Sequence, residues 1–127
     1  MERRRQLQIA LGFTGVAFLL AYPLMHLWPS GWKWEPHHME YEQMIAGIYA
    51  TLGVFLIWAA RAPEKHTSLI WFTVWSSVIH GGIMAIQALV DSGEHGHLVG
   101  DVPALFIVAA VLGYLTPRTH GVEAPRP

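Results

Sequence analysis

The chain has 127 residues, enough for one domain at most. Apolar residues make up 53% and charged residues only 13%, whereas a soluble domain usually carries about 25% charged residues; the deficit argues for lipid around much of the surface. A formal net charge of −1 gives no reason to expect a nucleic-acid partner, and the lack of cysteine excludes disulfides, thiolate metal sites, Fe–S clusters and thiol catalysis.

Four apolar runs follow one another along the chain, at residues 7–28, 42–60, 68–90 and 98–116. Each is about 19 to 23 residues long, close to the roughly 20 that a helix needs to cross hydrocarbon. Helix is the only structure that satisfies their backbone in lipid, because the runs are too long and too few for a barrel. The first run follows Arg3, Arg4 and Arg5 and resembles a signal peptide at its start. It is too long for one, however, and Pro23-Leu24-Met25-His26-Leu27-Trp28 offers no small-x-small cleavage site, so it reads as a retained span. Pro23 should kink it and free an upstream carbonyl. In the fourth run, Asp101-Val102-Pro103 reads as a helix start, with Asp101 as N-cap and proline in the first turn. Such a helix is short for a span. The alternatives are a helix from near Glu94 that bends at Pro103, or irregular backbone over 95–100 buried in protein or beside water.

Positive charge sets the direction. Arg3, Arg4, Arg5, Arg61, Lys65, Arg118 and Arg126 fall on one side of the spans and only Lys33 on the other. The expectation is an all-α, four-transmembrane-helix bundle with short loops in the inner membrane, both termini cytoplasmic. Trp28, Trp32 and Trp34 would form the outer aromatic belt, with Trp58, Trp71 and Tyr114 at the inner one. Residues 117–127 read as a flexible cytoplasmic tail.

The uncommon residues then sort to one side. His26, His37, His38, His95 and His97, most of the carboxylates, and Met25, Met39, Met44 and Met84 lie toward the outer face, with His80 near mid-depth. In the third run Thr73, Ser77, His80, Met84, Gln87 and Asp91 recur every three or four residues as one stripe, which in lipid should face other helices. Glu42 and Tyr49 share a face of the second run, Tyr22 and His26 one of the first, and His97 and Asp101 one of the last if that segment is helical. These residues suggest an outer-leaflet centre with His26, Glu42, His80, His97 and Asp101 as metal ligands, since bundles build such sites from facing helices. Imidazole and carboxylate suit Zn, Fe, Mn or Cu(II), and added methionine favours Cu(I). A b-type haem is the other cofactor considered, with His80, His26, His97, Met84 and Tyr49 around it. Gly81 and Gly82 beside His80 would admit a flat ring or a neighbouring backbone. The plainer reading is that His80 bonds to Tyr49, Ser77 or a carbonyl and locks the bundle, that Asp101 caps a helix, and that the methionines fill gaps.

Three stretches resemble, together, a group of small four-helix bacterial membrane proteins of unknown function. They are Tyr41-Glu42-Gln43-Met44-Ile45-Ala46-Gly47-Ile48-Tyr49-Ala50-Thr51, Trp75-Ser76-Ser77-Val78-Ile79-His80-Gly81, and His97-Leu98-Val99-Gly100-Asp101-Val102-Pro103-Ala104-Leu105. The resemblance spans roughly residues 20 to 116. It implies a bacterial membrane and the same four-span layout, and it brings no activity.

Three function classes compete. The first is a metal- or haem-binding membrane protein. The second is a component moving protons or a small solute along the stripe from Thr73 to Asp91, with His80 as relay. The third is an accessory subunit of a larger membrane complex, in which the stripe is packing glue. Lipid is the expected surrounding, and a homo-oligomer or larger complex the expected assembly. A metal-assisted enzyme stays open, although no nucleophile–base pair, phosphate loop or nucleotide motif names a reaction.

Overall fold

A computed structural model describes residues 2–27 and 39–118, with the side chains of all of these except 24–26, 39–42 and 94. Among them are five α-helices and no strand: α1 (Glu2–Leu19), α2 (Ala21–Leu27), α3 (Met39–Ala59), α4 (Thr67–Val90) and α5 (Asp101–Leu115). The short 3-10 turn Pro63–Lys65 joins α3 to α4, and a longer 3-10 segment, Ser92–Leu98, precedes α5.

Two of these segments are long and apolar enough to cross a membrane, Thr67–Val90 and His95–Leu115. The apolar part of α3, Gln43–Ala59, is shorter. The first run is not the single span expected. It breaks at Leu20, whose amide reaches back to the Val16 and Ala17 carbonyls at 3.0 and 3.2 Å. Pro23 explains the break: it has no N–H for the carbonyl four residues upstream, and its ring crowds that turn. The last run takes neither of the two expected forms, a helix from near Glu94 bent at Pro103 or irregular backbone over 95–100. Residues 92–98 wind as 3-10 helix, the chain turns at Val99-Gly100, and α5 starts with Pro103 in its first turn.

Packing follows small residues and apolar stripes. On α4 the buried residues Ile70, Thr73, Val74, Ser77, Gly81, Met84 and Ala88 repeat at three and four, while Phe72, Trp75, Ile79, Ile83 and Ile86 on the other side are exposed. Large exposed apolar side chains of this kind cover every helix with described side chains, the reverse of a helix that meets water. Helix α1 lies along α3 and α4 along α5, with α1 also touching α5. Gly15 and Gly53 set the first contact: a Cβ on Gly15 would sit 2.6 Å from the Gly53 carbonyl oxygen, and one on Gly53 would sit 2.5 Å from that of Gly15. Close backbone approach at small residues is how helices associate where lipid removes the hydrophobic drive. Helices α3 and α4 touch little and leave an open seam between them.

One end of the bundle is arginine-rich. Arg3 Nε donates to the Leu115 carbonyl at 3.3 Å, its guanidinium also bonds the Tyr114 carbonyl, and it lies over the Tyr114 ring at 5.4 Å. Arg4 pairs with Glu64 at 3.1 Å. The start of α1, the α3–α4 connection and the end of α5 therefore share one end. The Arg4 hydrogen bond is the main reason that the Glu64 carboxyl titrates below its ordinary value. A lowered folded value adds stability above the ordinary carboxylate range, which is lost as pH falls through that value; both groups are exposed, so the gain is small. Inside this half of the bundle, Leu7, Leu11, Leu56, Ile70, Val74, Ala109, Leu112 and Leu115 form one apolar cluster.

Candidate functional site

Tyr49 is the hub of the opposite half. Helix α3 carries it inward, where its ring meets Phe18 of α1 edge-on at 5.0 Å. Its hydroxyl shares a hydrogen bond with His80 Nδ1 of α4, and the two rings are 5.6 Å apart. It also packs against the small core of Met84, Val102 and Leu105 from α4 and α5. One phenol thus ties four helices together, and its polar tip finds an imidazole. Of the three partners expected for His80, the structure selects Tyr49. Gly81 serves close packing, since a Cβ there would meet Leu105 and Phe106 at 3.4 Å, while Gly82 faces open space.

The second pair is local. His97 Nδ1 donates to Asp101 Oδ1 at 2.8 Å, with His97 wholly buried and Asp101 nearly so. A carboxylate or imidazole in such a place needs a partner, and the 3-10 segment delivers one across the turn at Val99-Gly100. Asp101 is not the N-cap expected of it. Gly100 occupies that position, no side chain caps the helix, and Asp101 is the first helical residue, turned back to His97. The two pairs are linked by packing, since Tyr49 lies against the cluster that contains Val102, the residue after Asp101. Tyr49–His80 and His97–Asp101 are thus two polar pairs in this half of the interior, which elsewhere also buries Thr14, Thr73, Ser77 and Thr116.

The proposed ligand set is only partly brought together. His26 and Glu42 lie outside the described side chains, as do Met25 and Met39, and Trp28, Trp32, Trp34, His37 and His38 lie outside the described residues. Among the described residues no group of three or more His, Asp or Glu is placed to hold a metal ion. Met84 is buried against Val102 and Leu105 and works as packing. The α4 stripe holds inward only over part of its length: Thr73, Ser77 and Met84 are buried and His80 is half-buried, but Gln87 and Asp91 are exposed. Its lower hydroxyl is spent on the helix itself, with Thr73 Oγ1 donating to the Leu69 carbonyl at 2.9 Å. Asp91 accepts from the Gly93 amide at 2.9 Å and caps the 3-10 segment.

Sequence reasoning missed one feature, the α3–α4 seam. Met44, Gly47, Ile48, Thr51, Leu52 and Phe55 of α3, with Leu69 of α4, line an open apolar groove along it. The three- and four-residue spacing of the α3 positions was visible in the sequence, but nothing there said that this face would stand apart from α4.

A family model described as a family of unknown function (DUF6632) matches residues 2–126. No curated protein and no solved structure matches the chain.

Proposed function

The chain belongs to that family of unknown function, and from this premise we propose that it is a small multi-pass membrane protein with a ligand-binding centre at Tyr49, His80, His97 and Asp101. In this reading all four apolar runs span the membrane, the arginine-rich end is cytoplasmic, and the centre lies in the opposite half. The observation that carries it is the Tyr49–His80 hydrogen bond beside the buried His97–Asp101 pair. Ionisable side chains in an apolar span are costly and are kept where they bind or relay something.

The apolar cluster at the arginine-rich end weighs against a path straight through one copy. A proton or solute moving down the α4 stripe would have to cross that cluster, so the centre is read as a one-sided site.

A metal or haem is the second reading, favoured by one observation. A carboxylate bonded to a histidine ring nitrogen, as Asp101 is to His97, is the arrangement that orients metal-bound imidazoles. His26 and Glu42 would have to complete such a set.

The test is mass spectrometry, elemental analysis and an absorption spectrum of protein purified from its native membrane. An organic molecule or metal at near one per chain, diminished in Tyr49→Phe and His80→Ala, is expected. Protein that is folded yet carries neither, in wild type and variants alike, would remove the binding reading.

A further inference from the structure

The polar centre and the apolar groove lie on the same seam. Leu69, Ser76, His80 and Gln87 fall at spacings of seven, four and seven, on one face of α4. Leu69 lines the groove, so that face is the one turned to the seam. Levels agree as well. Phe55 and Leu69 both line the groove near the arginine-rich end. From Leu69 to His80, and from Phe55 to Met44, is eleven residues each, about 16 Å of helix. His80 therefore stands level with the Met44 end of the groove.

Two features specify an occupant. Among the described residues Tyr49 is the only hydrogen-bond partner of His80, at Nδ1. Among those residues Nε2 has no partner, in a segment where lipid offers it nothing. The groove itself offers no polar group: the Thr51 hydroxyl is satisfied by the Gly47 carbonyl at 2.8 Å. Charge narrows the choice further. An anionic head would be drawn to Arg3, Arg4, Arg61 and Lys65, which sit at the other end.

We infer that the seam binds a neutral, single-chain amphiphile of the lipid-soluble quinone class. Its carbonyl head bonds at Tyr49–His80 and its apolar chain lies in the groove from Met44 to Phe55. This rests on the binding reading above and names the ligand class for it. In lipid the chain gains nothing from leaving water, so its selectivity comes from fit, and the head gains a hydrogen bond that hydrocarbon cannot supply.

Gly47 gives the decisive variant. A Cβ there meets nothing within 4 Å, so Gly47→Leu should fold as wild type while filling the groove. The probe is a 1,4-benzoquinone carrying a decyl chain, titrated into detergent-purified full-length protein by native mass spectrometry, with unfolding temperature as the folding control. A one-to-one adduct is expected, weakened roughly tenfold or more by Gly47→Leu and about three- to tenfold by Tyr49→Phe, the loss of one hydrogen bond. Oleate should bind at least about tenfold more weakly than the quinone. An unchanged adduct in folded Gly47→Leu, with Tyr49→Phe still weakening it, would sink the groove and leave the centre standing. An adduct unaffected by either variant would sink the centre too. Oleate binding as tightly as the quinone would overturn the neutral head. A dimer that Gly47→Leu turns into monomer would mark the groove as a contact between copies and overturn the inference.

Discussion

Asp101 shows how much one residue type can conceal. An aspartate two places before a proline reads as a helix cap, and the real cap is Gly100 with no side-chain bond. The carboxylate instead holds a wholly buried imidazole. Replacing it should therefore cost more than a cap would: Asp101→Ala should lower stability by about 1.5–3 kcal/mol, the range for a hydrogen bond to a charged group. Thermal unfolding in detergent measures this, and a change indistinguishable from zero would mean that the pair contributes nothing. His80 was more legible. Its depth in an apolar run forces it to find a partner, and Tyr49 was one of three candidates that spacing allowed. Which of the three won depends on how far apart α3 and α4 stand, and no residue spacing encodes that.

At the scale of helices, the sequence spoke clearly about existence and less clearly about continuity. Apolar length marked every main helix, and helix is the form in which one segment satisfies its own backbone. Pro23 announced a kink, but the break falls at Leu20, upstream, where the missing N–H and the crowded ring are felt. The pairing of α1 with α3 was invisible, because glycines at 15 and 53 look like any others until two backbones meet there. That contact makes a sharp prediction. Gly53→Leu should force α1 from α3 and destabilise the protein by about 1–3 kcal/mol, as overpacking does, whereas Gly12→Leu, with nothing within 4 Å of its Cβ, should be neutral. Equal unfolding temperatures for the two variants would show that the crossing is not tight. The α3–α4 seam is the complementary case: its apolar residues predict burial, and the fold leaves them open.

For the whole molecule, the division into an arginine-rich, apolar-cored half and a histidine-bearing half is the feature with functional weight. Its origin was readable from charge alone, as seven basic residues of eight fall on one side of the runs. The structure gathers described members of that set at one end through the Arg3 and Arg4 contacts. The orientation that the positive-inside rule assigns is open to direct test. Single cysteines placed at Glu2 and Arg118 should react with a membrane-impermeant maleimide only in inside-out vesicles, and one placed at His95 only in right-side-out vesicles. Labelling of Glu2 and Arg118 from opposite sides would overturn the even number of crossings.

The contacts of Arg3 carry a consequence for how the protein is made. The first helical turn holds the carbonyls of Tyr114 and Leu115, more than a hundred residues later in the chain. Synthesis runs from the amino end, so that guanidinium is made more than a hundred residues before its acceptors. The bundle cannot be latched until the chain has been made as far as Leu115, and every earlier intermediate must wait, unfastened.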